Sequence, residues 1–73
     1  MPKKPNKALK TLGRKIQRLR NNHEITQEEL AEMVHISRVY MGYIEQGRES
    51  PSLKLLMKLS KKLGVKVEDL FHR

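Results

Sequence analysis

The strongest constraint in this chain lies between Ile25 and Gly47. Thr26-Gln27-Glu28-Glu29 is a capping box: the Thr26 hydroxyl can accept from the backbone N–H of residue 29, and the Glu29 carboxylate can accept from the N–H of Thr26. Ile25, just before the cap, and Leu30, four residues past it, form a hydrophobic staple that fixes how the chain enters the helix. A short helix is therefore expected over 27–33. Ser37 is the next N-cap candidate and starts a helix that runs to Gln46, with Gly47 as its left-handed stop. Only Val34, His35 and Ile36 remain between the two. Two helices joined by so short a turn must bury the faces they turn to each other, and Leu30, Ala31, Val34, Ile36, Met41 and Ile44 suit that burial, with Ala31 small where the helices cross most closely. By spacing, residues 27–46 are a helix-turn-helix.

The flanks add helices and no strands. Leu9, Leu12, Ile16 and Leu19 recur at spacings of three and four, which at about 100° per residue gathers them on one side of a helix beginning at Lys7. Lys7, Lys10, Arg14 and Arg18 fall on the opposite side. Gly13, inside this helix, costs about 1 kcal/mol relative to alanine, and Asn21 and Asn22 are good stop residues. Ser50-Pro51-Ser52 reads as a turn, with Ser52 capping a fourth helix from Leu53 to Leu63 that stops at Gly64. Val67, Leu70 and Phe71 suggest a short fifth. Residues 1–6, with two prolines and no apolar periodicity, read as a flexible basic arm ahead of a single domain over 7–73.

Seventy-three residues make one small domain, burying roughly 60% of the surface its unfolded chain exposes. That leaves no room for a separate ligand or catalytic domain. With no cysteine, disulfides, thiol chemistry and Cys-based zinc sites are excluded. The longest apolar runs are three residues (Val39–Met41 and Leu55–Met57), which excludes a membrane-spanning helix or a secretory signal peptide and leads us to expect a cytoplasmic protein. The formal net charge is +8 and is unevenly placed. Residues 1–20 carry eight basic side chains and no acid; residues 21–51 carry two bases against six acids; residues 52–73 carry six bases against two acids. A basic excess of this size predicts a polyanionic partner.

The stretch Thr26-Gln-Glu-Glu-Leu-Ala31, then Ile36-Ser-Arg38, Tyr40 and Ile44-Glu-Gln-Gly47, then Pro51-Ser-Leu53 and Leu63-Gly-Val65, resembles the Cro and phage-repressor type of helix-turn-helix domain, the XRE family. The resemblance covers roughly residues 9–71. It implies a compact, all-α, five-helix, lambda-repressor-like domain that binds double-stranded operator DNA as a homodimer. Two positions depart from the family's pattern. His35 stands where the turn usually has glycine, at a site that needs positive φ, which histidine tolerates better than most residues. Lys66 stands where a serine or aspartate cap is usual, so the start of helix five is the least defined boundary.

A helix docked in the major groove reads with the face opposite its core face. On helix 37–46, Met41 and Ile44 point to the core, and Arg38, Val39, Gly42 and Tyr43 point away. Arg38 can make two hydrogen bonds to guanine O6 and N7, Val39 and Tyr43 can pack on thymine methyls, and Ser37 can donate to a base or a phosphate. Gly42 lets the helix backbone come close to the base edges. Phosphate contacts are expected from Gln27 at the head of its helix, a use of glutamine that the resemblance also implies, and from Arg14, Tyr40 and Arg48 at the edges of the surface. The resemblance implies an ion pair between Arg20 and Glu45, mainly structural, with Arg20 also touching a phosphate. One reading helix covers only about 4–5 base pairs, so two copies about 34 Å apart are expected on DNA, with Leu70 and Phe71 as the contact between them.

Catalytic and metal chemistry find no purchase in the sequence. His23, His35 and His72 are scattered and lack carboxylates at ligand spacing, so no metal is expected. Glu28 and Glu29 diverge by about 100° on a helix and form no catalytic pair. There is no glycine-rich phosphate loop, and we expect neither a cofactor, nor a small-molecule ligand, nor enzymatic activity. The favoured reading is a sequence-specific DNA-binding transcriptional regulator, a repressor or autoregulator. The same fold could instead serve as a protein-interaction module, as in bridging coactivators and antitoxins. A basic amphipathic domain on membrane or RNA is a third reading, weakened because the apolar face of helix one is needed by the core.

Overall fold

A computed structural model describes residues 4–72; Met1–Lys3, half of the expected arm, and Arg73 lie outside them. Its elements are α1 (Lys7–Asn22), α2 (Gln27–Met33), α3 (Arg38–Glu45), α4 (Leu53–Leu63) and a closing 3-10 helix (Val67–Phe71). Among the described residues there is no strand, so the fold is all-α.

Each α-helix is started by a side chain that captures an otherwise unpaired N–H. Asn6 Oδ1 accepts from Leu9 N at 2.8 Å, Thr26 Oγ1 from Glu29 N at 3.0 Å, Ser37 Oγ from Tyr40 N at 3.0 Å, and Ser52 Oγ from Leu55 N at 3.1 Å. The capping box at Thr26 is completed by Thr26 N donating to Glu29 Oε1 at 2.8 Å. The four helices also stop in one way. A residue with left-handed φ follows each helix, and the N–H after it reaches back to a carbonyl five residues earlier, as in a Schellman turn. The left-handed residues are Glu24 (φ 57°), His35 (63°), Gly47 (77°) and Gly64 (72°). The closing bonds are Ile25 N to Arg20 O, Ile36 N to Ala31 O, Arg48 N to Tyr43 O and Val65 N to Ser60 O, between 2.9 and 3.3 Å. His35 thus adopts the positive φ expected of it. Glu24 does so without any glycine or asparagine to announce it.

The fifth element is not an α-helix. Lys66 has no acceptor on its side chain; its own N–H donates to Asp69 Oδ2 at 3.1 Å, and the segment closes with three-residue bonds such as Asp69 N to Lys66 O at 3.0 Å. Five residues without a side-chain cap are too few to nucleate an α-helix.

The core joins all five elements: Leu12 and Ile16 of α1, Leu30 and Ala31 of α2, Val34, Met41 and Ile44 of α3 and its turn, Leu55, Leu56, Leu59 and Leu63 of α4, and Leu70. Leu9, Leu19, Ile25, Ile36 and Tyr40 pack against its edge. The tightest seam is between α1 and α3. A methyl group on Gly13 would sit 2.5 Å from the carbonyl oxygens of both Ile44 and Glu45, and one on Gly47 would sit 2.7 Å from Lys10 N. Glycine at 13 therefore lets α1 lie directly on the C-terminal carbonyls of α3, and this contact fixes where the end of α3 stands.

The candidate nucleic-acid interface

The face of α3 turned away from the core carries Arg38 and Val39, both in solvent, with Val39 54% exposed, and Tyr43, half-buried. Ser37 is exposed; its oxygen is the cap of α3, which leaves its hydroxyl hydrogen free to donate outward. An exposed arginine, a valine and a tyrosine one turn apart form a polar tip with an apolar flank, the chemistry that suits a guanine edge beside a thymine methyl.

Gly42 stands differently. It is buried, and the place of its missing side chain is roofed by two amides, with Gln27 Oε1 at 3.7 Å and Gln46 Nε2 at 3.8 Å. The expectation that Gly42 lies open on the reading face is corrected: the free protein covers it with Gln27 from α2 and Gln46, the C-cap of α3. Gln46 itself was missed in the sequence. It is exposed and lies seven residues past Val39 on the stripe that contains Tyr43, so extending the helical period by one turn would have found it. Its Oε1 accepts from Arg48 Nε at 2.9 Å, which holds both side chains at the C-terminal end of α3.

Arg20 and Glu45 meet as the resemblance implied. Arg20 Nε donates to Glu45 Oε2 at 2.7 Å and NH2 to Glu45 Oε1 at 3.0 Å, a two-pronged pair with side chains only 10% and 3% exposed. Arg20 NH1 donates to Ile25 O at 3.0 Å, and Gln27 Nε2 donates to Glu45 Oε1 at 3.1 Å. Every buried side-chain polar atom among the described residues has a partner, which is the condition under which a buried ion pair is tolerated. A phosphate contact from Arg20 is corrected on the same ground: its three nitrogens are turned inward and the residue is 9% exposed.

Of the other expected phosphate contacts, Gln27 is half-buried at the N-terminus of α2 with one amide hydrogen committed to Glu45, Arg14 is exposed on α1, and Arg48 is half-buried beside Gln46. Tyr40 packs on the edge of the core and is partly exposed, so only part of its surface faces out. Arg14, Lys10, Gln17, Gln46 and Arg48 line one cleft between α1 and the end of α3. Glu28, Glu29 and Glu32 are exposed on α2. The Thr26 N–H, and after it the Thr26 hydroxyl, hold the Glu29 carboxyl below its ordinary pKa.

Leu70 cannot serve as a contact between copies: it is fully buried in the core between α1 and α4, and its apolar signal was that of a core residue. Phe71 remains 54% exposed, as do Leu53 (66%) and Met57 (56%) on α4. Among the described residues no three His, Asp or Glu side chains gather as metal ligands would, and no helix is long and apolar enough to cross a membrane.

Two helices in contact, the first with Leu30 and Ala31 buried, the second capped at Ser37 with Arg38 and Val39 exposed, define a helix-turn-helix unit. The chain belongs to the helix-turn-helix family, whose sequence profile matches residues 16–70. An HTH-type transcriptional regulator of Methanocaldococcus jannaschii, MJ0272, is 46% identical over 57 residues, which are 78% of this chain and 86% of that protein. The fold is also that of the restriction-modification controller protein C.AhdI from Aeromonas hydrophila, with a TM-score of 0.81 at 32% identity over 86% of this chain and 96% of the other. The P22 c2 repressor, solved in complex with a synthetic operator, matches with a TM-score of 0.79 at 30% identity over 84% of this chain and 92% of that one.

Proposed function

We propose that this protein is a non-enzymatic, sequence-specific DNA-binding transcriptional regulator, a repressor or autoregulator, that sets α3 in the major groove of a palindromic operator. The observation that carries the reading is the outward face of α3. Arg38 is the one basic side chain on it, is exposed, and makes no hydrogen bond or ion pair with any other described residue. Its relatives and structural neighbours carry the names of transcriptional regulators and repressors, and one neighbour holds an operator. On this reading Arg38, Val39, Tyr43 and Ser37 face base edges, and Gln27, Arg14, Arg48 and the outer part of Tyr40 take the phosphates.

Residues 7–73 act as one domain and residues 1–6 as a basic arm that adds affinity. Double-stranded DNA is the partner, bound by a homodimer whose contact includes Phe71, in the cytoplasm. Two copies are needed because one reading helix covers too few base pairs for a useful specificity ratio; sedimentation of the DNA complex should find two chains per operator.

The deciding experiment selects bound duplexes from random-sequence DNA and titrates wild type and Arg38→Ala against the winner and against an unselected duplex. Loss of a two-pronged guanine contact should cost about 1–3 kcal/mol on the selected duplex and much less on the other, and should relax the preference at one base pair. Equal losses on both duplexes would remove α3 from the groove.

A further inference from the structure

The strongest charged feature outside the reading helix is the outer face of α1. Lys7, Lys10, Arg14, Lys15 and Arg18, with Thr11, line one trough that Pro5 and Asn6 close at its end. Pro5, Lys10 and Arg14 are shared with the neighbouring cleft, which continues to Gln17, Gln46 and Arg48. The cationic row is therefore continuous with the C-terminal end of α3. Its position is also fixed, because the glycine contacts at 13 and 47 press α1 onto that end. Among the described residues the one carboxylate along the two clefts, Glu45, is consumed by Arg20 and Gln27.

The placement of these charges works against the helix that carries them. The first turn of α1 holds Lys7 and no acid, although a helix N-terminus favours negative side chains, as found in α2 with Glu28 and Glu29. Lys10 with Arg14, and Arg14 with Arg18, are like-charged pairs four residues apart, which destabilise a helix. Each lies within a turn of the next, and among the described residues no acid lines their trough, so these side chains are arranged for an anion that arrives from outside.

We infer that the row Lys7, Lys10 and Arg18 is a second contact to the DNA backbone, engaging duplex beyond the base pairs that α3 reads. The inference rests on the DNA-binding reading above. From Lys7 to Arg18 the helix rises about 16 Å at 1.5 Å per residue, close to five base pairs at about 3.4 Å each. A strand passing Gln46 and Arg48 reaches the middle of the row at Arg14 and Lys10, with Lys7 and Arg18 to either side along the helix. The contact is with phosphate and carries no base preference. The operator thus has a length requirement as well as a sequence requirement.

The test uses a duplex recovered by selection from random-sequence DNA, made in two forms: trimmed to its selected base pairs, and carrying ten further base pairs of fixed sequence on each side. Wild type and the triple variant Lys7→Gln, Lys10→Gln, Arg18→Gln are titrated on both over a range of salt. Wild type should bind the long duplex with a steeper dependence of log K on log salt, by roughly two to three units per protomer. The triple variant should lose that excess while keeping the same base preference. Its melting temperature without DNA should equal or exceed that of wild type, since glutamine is a good helix former and the repulsion is gone. Equal slopes on both duplexes for wild type, or a loss in the variant that is the same on both, would overturn the inference while leaving base reading by α3 intact. Absence of any selected sequence would overturn both.

Discussion

Replacing Gly13 by alanine sets two effects of opposite sign against each other. On propensity alone, alanine in the middle of α1 should stabilise the helix by about 1 kcal/mol. In the folded protein the new methyl would lie 2.5 Å from the carbonyl oxygens of Ile44 and Glu45 and 2.7 Å from the Glu45 carbonyl carbon. Ordinary contact needs about 3.4 Å or more, so α1 and α3 must separate by nearly 1 Å at this point. Neither side yields easily, because both obstructing groups are backbone. A gap of that size forfeits a quarter to a half of the dispersion between side chains facing each other across the seam, where α1 contributes Leu12 and Ile16 and α3 contributes Met41 and Ile44 to the core. Overpacking of this kind costs about 1–3 kcal/mol, and the rigid obstruction places it at the upper end. The net expectation is a loss of about 2 kcal/mol, or a fall in melting temperature of about 8–16 °C for a domain this small. Urea and thermal unfolding followed by circular dichroism would measure it. A variant as stable as wild type, or more so, would refute the close approach of α1 to α3 and with it our placement of the end of the reading helix.

Gly42→Ala is the natural contrast: a methyl there meets only the flexible ends of Gln27 and Gln46 at 3.7–4.0 Å, so the variant should be more stable by up to about 1 kcal/mol, and a gel-shift will tell whether DNA needs that space. Glu45→Ala leaves the Arg20 guanidinium buried without its anion and should cost about 3–5 kcal/mol in a denaturant titration, a large share of the stability of a small domain. Glu24→Gly and His35→Gly relieve two left-handed backbones and should each raise the melting temperature, since the strain on an L-residue of about 1 kcal/mol or more exceeds the entropy that glycine adds. Because the folded state lowers the Glu29 pKa, it binds fewer protons there than the unfolded chain. That stabilisation is complete above the ordinary glutamate value and is lost as pH falls through it toward the lower folded value. In melts over the acid range, Glu29→Gln should flatten this part of the profile.

What could be read in the sequence was what local chemistry decides. The Thr26 box, Ser37, Ser52, Gly47 and Gly64 act within one turn of chain, and the helices they bound stand where the spacing put them. His35 could be read because the resemblance told which backbone its position needs. Glu24 could not, since a glutamate in a left-handed turn carries no mark in the residue itself. Gly13 looked like a cost because its reason lies on another helix. Leu70 and Gly42 were misplaced for a related reason. An apolar residue near a chain end suits a core or an interface equally well, and a glycine on the outer arc of a helix looks open until two glutamines are laid across it. The ion pair of Arg20 and Glu45 was legible only through the resemblance, because tertiary packing alone brings two residues so far apart in sequence within hydrogen-bond distance.

The Glu45 carboxylate ties stability to reading. It is the last residue of α3, and it receives Arg20 from α1 and Gln27 from the first turn of α2. One group thus holds the end of the reading helix to both of the helices that flank it. Gln27 Nε2 has two hydrogens and gives one to Glu45, so the other, together with the free N–H groups at the head of α2, can point at a phosphate. A phosphate held there is then one hydrogen bond removed from the residue that sets the orientation of α3. The arrangement removes rotational freedom from the reading helix before DNA arrives, and freedom already lost in the free protein need not be lost on binding. The buried ion pair is for that reason better understood as a device for holding three helices in register than as a source of net stability, which a well-packed apolar pair of the same volume could supply as well.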